Sequence, residues 1–132
     1  MHLAKTKYLV TDARKKAFAT AFIRACTTGK QEDLIKFLKE DITIYSDGGG
    51  KALAAAQPIF GVNICSRFLS TIHNKRKDEN LQLELTIING MPGVIYRTKD
   101  HLLDTAMLLE EEVGFVQAIY FVRNPDKLAA LE

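Results

Sequence analysis

The sequence predicts an α+β fold in which three helices pack on a curved, mainly antiparallel sheet. In the first half of the chain apolar residues recur at helical spacing, and from Leu81 onwards they occupy alternate positions. The 132 residues, of which 47% are hydrophobic and 26% charged, suit one globular domain with one core. Because consecutive strands joined by short turns usually pair, we expect a four-strand meander whose concave side receives the first and third helices.

The first helix is expected to begin at Thr11 and to end before Gly29. Thr11 is a favourable N-cap, Asp12 faces the positive end of the helix, and Gly29 is a favourable stop. Residues 1–10 are therefore interpreted as a linker and residues 11–132 as the domain. The apolar stripe of this helix comprises Ala13, Ala17, Phe18, Ala21, Phe22 and Ala25.

A second helix over 32–39 and a strand over 42–45 are predicted next, followed by a third helix over 61–75. The charge-rich segment 74–80 is interpreted as a solvated loop, because acidic residues directly follow its basic ones. The buried face of the third helix is expected to hold Ile64, Phe68, Leu69 and Ile72. The later strands are predicted over 81–87, 94–98, 101–109 and 115–123, with turns at 89–93, 99–100 and 110–114.

The charge and hydrophobicity of the chain exclude several classes of protein. A net charge of +2 is too small to indicate nucleic-acid binding, and the basic residues are offset by acidic ones along the chain. No apolar run is long enough to cross a bilayer, and the first residues lack the apolar core of a signal peptide. We therefore expect a cytoplasmic protein that contacts neither a membrane nor nucleic acid directly.

The cysteines and histidines do not predict a metal or cofactor site. Cys26 and Cys65 lie in helical patterns among apolar neighbours, which is typical of buried free thiols. His2, His73 and His101 are not spaced as metal ligands. The sequence also contains no Walker loop, dinucleotide-binding glycine pattern, nucleophile elbow or HExxH motif. We therefore expect no metal and no cofactor.

Two segments outside the regular patterns stand out. The run Asp47-Gly48-Gly49-Gly50-Lys51 has three glycines, which have a high entropic cost on folding and suit a close approach of another backbone. We interpret it as a contact surface, and a flexible strand-to-helix connection is the alternative. The run Asn124-Pro125-Asp126-Lys127-Leu128 begins with a helix cap and a proline suited to a first helical position. A capped turn at a C-terminus usually only terminates the chain and has no further role.

The order of elements resembles the SnoaL-like fold, which is shared with ketosteroid isomerase and nuclear transport factor two. Pro58, Gly61 and the turn Asn89-Gly90-Met91-Pro92-Gly93 lie between the two segments just described. Together, in this order, these motifs resemble the SnoaL-like extension at the C-terminus of certain extracytoplasmic-function (ECF) sigma factors, the SigJ type. The resemblance covers residues 18–128. The sigma regions themselves are absent from this sequence, which is therefore either an excised domain or a freestanding relative.

The resemblance implies regulation of transcription initiation rather than chemistry. In such sigma factors the extension regulates the promoter-binding regions that precede it. By this analogy Asp47 to Lys51 contact the sigma regions or the linker between them, and Asn124 to Leu128 are a docking element. The implied partners are the sigma regions of the same polypeptide and, through them, RNA polymerase. The apolar pattern of the last strand also permits a homodimer.

An isomerase- or cyclase-type enzyme, or a freestanding small-molecule-binding protein, is the alternative. Such an enzyme needs a carboxylate base over an apolar cavity and an oxyanion partner, as in the ketosteroid isomerase example of this chemistry. Asp104 is the candidate base, with His73 or His101 as other choices, and the spacing alone places no catalytic constellation. A cone-shaped fold also readily retains a cavity for a small apolar ligand. The candidate lining residues are Phe22, Tyr45, Phe68, Ile87, Tyr96, Asp104 and Phe121.

Overall fold

The computed structural model describes residues 2–46 and 57–123, with side chains in the first helix from Asp12 onwards. Both segments singled out above, residues 47–51 and 124–128, lie outside the described residues. The elements are α1 (His2–Thr27), α2 (Gln31–Ile35), β1 (Leu38–Ser46), β2 (Ile59–Phe60), α3 (Val62–Arg76), a 3-10 turn (Lys77–Glu79), β3 (Gln82–Ile88), β4 (Met91–Arg97), β5 (Leu103–Glu112) and β6 (Phe115–Val122).

In the described part of the chain, six strands form one mixed, mostly antiparallel sheet in the order β2-β1-β6-β5-β4-β3. The meander from β3 to β6 pairs antiparallel between neighbours, as the sequence predicts. The pairing of β1 with β6 is parallel, with Tyr45 opposite Tyr120 and Ser46 opposite Phe121. With three helices on a curved, unclosed sheet, the α+β fold class is confirmed.

The core lies between the helices and one face of the sheet. Phe22 of α1 is fully buried, and its ring lies edge-on to that of Phe37 at 6.0 Å. Phe18 makes a similar contact with Phe37 at 5.9 Å. The sheet contributes the fully or almost fully buried side chains of Ile42, Ile44, Val94, Met107, Leu109, Val116 and Ile119.

The first helix differs from the prediction in its start and in its buried face. It begins at His2, so the predicted start at Thr11 is wrong, while the division of the chain into linker and domain stays a prediction. Phe22 and Ala25 are buried as predicted, whereas Ala13, Ala17 and Ala21 are exposed and Ala19 is buried in their place. The physical reason is that the phenylalanine rings bury more apolar area than alanine methyl groups and so decide how the helix is rotated.

The second helix is shorter than predicted, because residues 38 and 39 belong to β1. Leu38 is buried and pairs with Val116, whose backbone N–H donates to the carbonyl of Phe37 at 2.7 Å. This distant strand therefore ends the helical segment. The short strand β2, which pairs with Thr43 and Ile44, was not predicted, since a two-residue strand has no periodicity of its own.

Helix α3 begins after Gly61 as predicted, but Ile64 is 57% exposed rather than buried. Cys65 and Leu69 form the buried side, with Phe68 packed partly against the core. The predicted loop over 74–80 is shorter, because α3 continues to Arg76 and a 3-10 turn follows.

Two turns between strands are tighter than predicted. Strand β4 begins at Met91, so the turn is reduced to Asn89 and Gly90, which both have positive φ (52° and 78°) as hairpin turns of this length require. Strand β5 continues to Glu112, whose carboxylate forms a salt bridge with Lys39. The turn before β6 therefore consists of Val113 and Gly114. The predicted acidic turn over 110–114 is therefore wrong for its first three residues.

We expect Ile119→Ala to reduce the free energy of unfolding by about 2–5 kcal/mol, because it leaves a cavity at the centre of the sheet. Ile119 is fully buried and pairs with Ile44 and Leu109. The matched control is Ile64→Ala, which removes the same atoms from an exposed helix position and should change stability by less than about 1 kcal/mol. Urea unfolding monitored by circular dichroism measures both. Equal losses in the two variants would contradict this description of the core.

Candidate functional site

A cavity of about 340 Å³ lies between α1, α3 and the concave face of the sheet. Helix α1 contributes Ile23, Cys26 and Thr27 to its wall, and α3 contributes residues spaced three or four apart along one face. The remaining lining side chains come from the segment after α3 and from four strands. The α3 residues are Leu69, Ile72, His73 and Arg76, and the others are Lys77, Asn80, Leu81, Leu83, Tyr96, Thr105, Met107 and Phe121.

Two of the candidate lining residues, Tyr96 and Phe121, line this cavity. Phe68 lies behind Phe121, with the two rings edge-on at 6.2 Å, and Phe22 belongs to the closed core. Ile87 is on the same strand as Leu83 but does not line the cavity. Tyr45 lies elsewhere, exposed beside Tyr120.

Asp104 lies beside the cavity in a bidentate ion pair with Arg76. The guanidinium Nη1 donates to Oδ2 at 2.7 Å, and Nη2 donates to Oδ1 at 3.0 Å. The hydroxyl of Thr105 donates to the same carboxylate at 2.6 Å, and Arg123 lies 3.9 Å away. Arg76 also donates through Nε and Nη2 to the carboxylate of Glu79, at 3.1 and 2.9 Å.

These contacts determine the protonation of the pair. Burial alone would raise the pKa of Asp104, but the hydrogen bonds from Arg76 and Thr105 outweigh it, so the pKa lies below its ordinary value. The hydrogen bonds to Asp104 and Glu79 raise the pKa of Arg76. A carboxylate with a lowered pKa and a bidentate partner is a weak proton acceptor at neutral pH, which makes Asp104 poorly suited to act as a general base.

Two polar groups that line the cavity, Cys26 and Tyr96, have raised pKa values. Burial raises the pKa of the Cys26 thiol to about 12. Burial also raises the pKa of the Tyr96 phenol, and the nearby Cys26 raises it further, while Arg76 acts in the opposite direction. Both groups therefore stay protonated at neutral pH. Cys26 and Arg76 were missed as lining residues; the signal for Arg76 is its position four residues after Ile72, on the same face of α3.

An aromatic pair lies on neighbouring strands β1 and β6. The rings of Tyr45 and Tyr120 stack with centroids 5.1 Å apart and planes within 8°. The Tyr120 hydroxyl donates to Oε1 of Glu110 at 2.8 Å, and this hydrogen bond is the main reason that its pKa is raised to about 12. Gln117 donates to the other oxygen of Glu110. Tyr45 is 41% exposed, so one face of the pair is open to solvent.

The two motif-bearing segments are attached beside this pair. The glycine-rich segment follows Ser46, the last residue of β1, and the C-terminal segment follows Arg123, directly after β6. Because β1 and β6 are parallel neighbours, the two strands that precede these segments in the chain finish at the same end of the sheet. Ser46 and Phe121 are in register there. The sequence alone did not predict this proximity.

Neither a metal centre nor a membrane-spanning helix is found within residues 2–46 and 57–123. No group of three or more His, Cys, Asp or Glu side chains in these ranges is arranged to hold a metal ion. No helix there is long and apolar enough to cross a membrane. His101 is exposed in the turn before β5, away from the cavity that His73 lines.

Solved structures show that the fold is that of SnoaL-like and NTF2-like proteins. The ECF sigma factor SigJ of Mycobacterium tuberculosis matches 96% of this chain with a TM-score of 0.69 and 21% identity. A SnoaL-like protein of unknown function from Burkholderia thailandensis matches 83% of this chain and 93% of its own, with a TM-score of 0.63 and 10% identity. A de novo designed protein with a curved sheet matches 89% of this chain and 90% of its own (TM-score 0.60, 12% identity).

The similarity to these proteins is in structure and not in sequence. The sequence matches no protein-family model and no curated protein. This chain covers 48% of SigJ, about half of that protein's length. At such identities the fold is shared, whereas the function has to be argued from the residues.

We expect Asp104→Asn to lower the free energy of unfolding at pH 7 by about 1–3 kcal/mol, since it removes the charge from a partly buried hydrogen-bonded pair. The pKa of Asp104 is lowered in the folded state, so its contribution is present at neutral pH and is lost as pH falls through that lowered value. The difference between wild type and variant should therefore narrow below about pH 4.

Asp78→Asn is the matched control, because Asp78 is exposed in the 3-10 turn after Arg76. Urea unfolding of the three proteins between pH 7 and pH 2 measures both effects. A loss in Asp104→Asn that does not vary with pH would contradict the ionised state of this carboxylate.

Proposed function

We propose that this chain is the regulatory SnoaL-like domain of an ECF RNA polymerase sigma factor, acting through contacts with the sigma regions of the same polypeptide. The observation that carries the proposal is the attachment of the two motif segments, 47–51 and 124–128, to neighbouring parallel strands. The match of nearly the whole chain to about half of SigJ supports the same assignment.

Because β1 and β6 finish at the same end of the sheet, one partner surface can contact both segments. A partner that approaches this end meets the segment after Ser46 and the segment after Arg123 together. Three successive glycines lack side chains that would hold a second backbone away. The exposed Tyr45 ring lies next to the same end and offers apolar contact area.

Regulation is also favoured over isomerase or cyclase chemistry. Of the three candidate bases, Asp104 is held in its ion pair by Arg76 with a further hydrogen bond from Thr105, His73 lines the cavity, and His101 lies away from it. The proposed function therefore requires no catalytic residue, metal or cofactor. RNA polymerase is the indirect partner in this proposal, and the cytoplasm is the corresponding location.

The size of the native protein in its source cells tests the sigma-factor assignment. An antibody raised against this chain should detect, on an immunoblot, a band of at least about twice its 14.8 kDa, as the 48% coverage of SigJ implies. A band at 14.8 kDa would mean a freestanding protein and would contradict an intramolecular mechanism.

We expect Asp47→Ala and Asp126→Ala each to weaken binding of this domain to the sigma regions of its parent at least about fivefold, a loss of one charged contact. Isothermal titration calorimetry with the separately expressed sigma regions measures the dissociation constant. Asp41→Ala is the matched control, because Asp41 is exposed on β1 far from the end at Ser46. Unchanged affinity in both test variants, or no binding by the wild type, would contradict the proposed contact surface.

A further inference from the structure

The sheet ends on one side in a regular strand that has a neighbour on one side only within the described residues. Strand β3 lies at this edge, is seven residues long and pairs with β4 without a bulge. The opposite edge of the described sheet is β2, which has only two residues. A long regular edge presents a row of unpaired backbone N–H and C=O groups, with which another strand can form a ladder.

The turn after β3 determines which backbone groups point away from the sheet. Asn89-Gly90 is a two-residue turn with positive φ at both positions, and Ile88 lies opposite Met91. In such a hairpin the residues that flank the turn exchange hydrogen bonds, and bonded pairs then alternate along the strands. Pro92, which has no N–H, lies opposite Ile87, a pair that is not hydrogen-bonded in this alternation. The residues of β3 whose N–H and C=O groups point outwards are Leu83, Leu85 and Ile87.

This edge lacks the features that usually prevent pairing with another chain. Residues 82–88 include no proline and no lysine. Residues 82–85 are all exposed, Leu83 by 46% and Leu85 by 38%, so no described element covers this part of the strand. The one charged residue of the strand, Glu84, forms a salt bridge with Arg97 of β4 at 3.3 Å. The edge therefore offers two exposed leucines and no unpaired charge.

The strand is complementary to a second copy of itself in one antiparallel register. With Leu85 opposite Leu85 of the second copy, Leu83 lies opposite Ile87, and Glu84 lies opposite Thr86. All three outward-pointing residues then exchange backbone hydrogen bonds, and their side-chain pairs are apolar. A register centred on Glu84 would place two carboxylates directly opposite each other, which is destabilising. A register centred on Thr86 would place Leu83 opposite the turn and lose part of the ladder.

We propose that two copies of this chain pair through β3, antiparallel and centred on Leu85, so that their sheets join into one. In the sheet order β4 and β5 separate β3 from β6 and β1, so this interface is remote from the proposed sigma contact. It also differs from the homodimer that the apolar pattern of the last strand permits, because β6 is inside the sheet and offers a face rather than an edge. The inference does not depend on the sigma-factor assignment.

Sedimentation equilibrium of the whole 132-residue chain tests the dimer. One strand edge buries less area than a standard interface of about 800 Å² per partner, so the dimer should be weak. We expect the mass to rise from 14.8 kDa at about 10 µM towards twice that value at about 1 mM. A mass of 14.8 kDa throughout this range would overturn the proposal.

Charge substitutions locate the interface. Leu85→Lys places two like charges opposite each other at the centre of the ladder and should raise the dissociation constant at least about tenfold. The matched control is Ile64→Lys, at an exposed position of α3, which should leave the dissociation constant unchanged. Circular dichroism confirms that each variant is folded. Equal dimerisation of wild type and Leu85→Lys would overturn the proposal.

Introduced cysteines test the register. Residues directly opposite in a hydrogen-bonded pair have Cα atoms about 5.5 Å apart, a distance that a disulfide spans. The Leu85→Cys variant should therefore form a covalent dimer on oxidation. Leu83→Cys should do so only when it is mixed with Ile87→Cys, since the two Leu83 positions lie more than about 13 Å apart in this register.

The parent chain is the control for the native thiols of Cys26 and Cys65 in this oxidation. Leu85→Cys also keeps the test decisive if Leu85→Lys does not fold, because it replaces a partly exposed leucine by another uncharged residue. A dimer through a sheet face would double the mass without this cross-linking pattern and would overturn the proposal.

Discussion

The parallel pairing of β1 with β6 is the constraint on which the rest of the structure depends. It places Ile42 and Ile44 beside Ile119 at the centre of the core, joining the first half of the chain to the antiparallel meander. It also determines where α2 ends, since Val116 binds the carbonyl of Phe37. Helix α3 packs against β1, so the ladder also joins this helix to the meander on which α1 packs.

The sequence predicted those features that follow from local patterns. The strand predicted from Leu81 onwards, the start of α3 after Gly61 and the antiparallel meander are all confirmed. The buried face expected for that strand is wrong, since Leu83 and Leu85 are exposed at the edge of the sheet. The parallel ladder was not predicted, because it joins residues about 75 positions apart, which no local periodicity reveals. The face that α1 buries was also not predicted correctly, since it depends on contacts of Phe18 and Phe22 with the Phe37 ring, which lies outside the helix.

The candidate site was predictable only in part. Tyr96 and Phe121 alternate with outward residues on predicted strands, so their inward orientation follows from the period of two. Arg76 lies in a run of three basic residues, and its spacing of four from Ile72 indicates the cavity face of α3 but not which of the three side chains is ion-paired there. That choice is made by Asp104, which is 28 residues further along the chain and lies opposite it. In this ion pair Asp104 differs from the general-base aspartate of ketosteroid isomerase chemistry, which has to be free to accept a proton.

The β1–β6 ladder also has a consequence for the time course of folding. Closing a loop of this length has an entropic cost that has to be met before the strand contacts form, and such non-local sheets fold slowly. During synthesis β1 cannot pair with β6, its neighbour in the middle of the sheet, until β6 has left the ribosome. Its apolar side chains are exposed meanwhile, so a ribosome that stalls before β6 leaves a chain prone to aggregation.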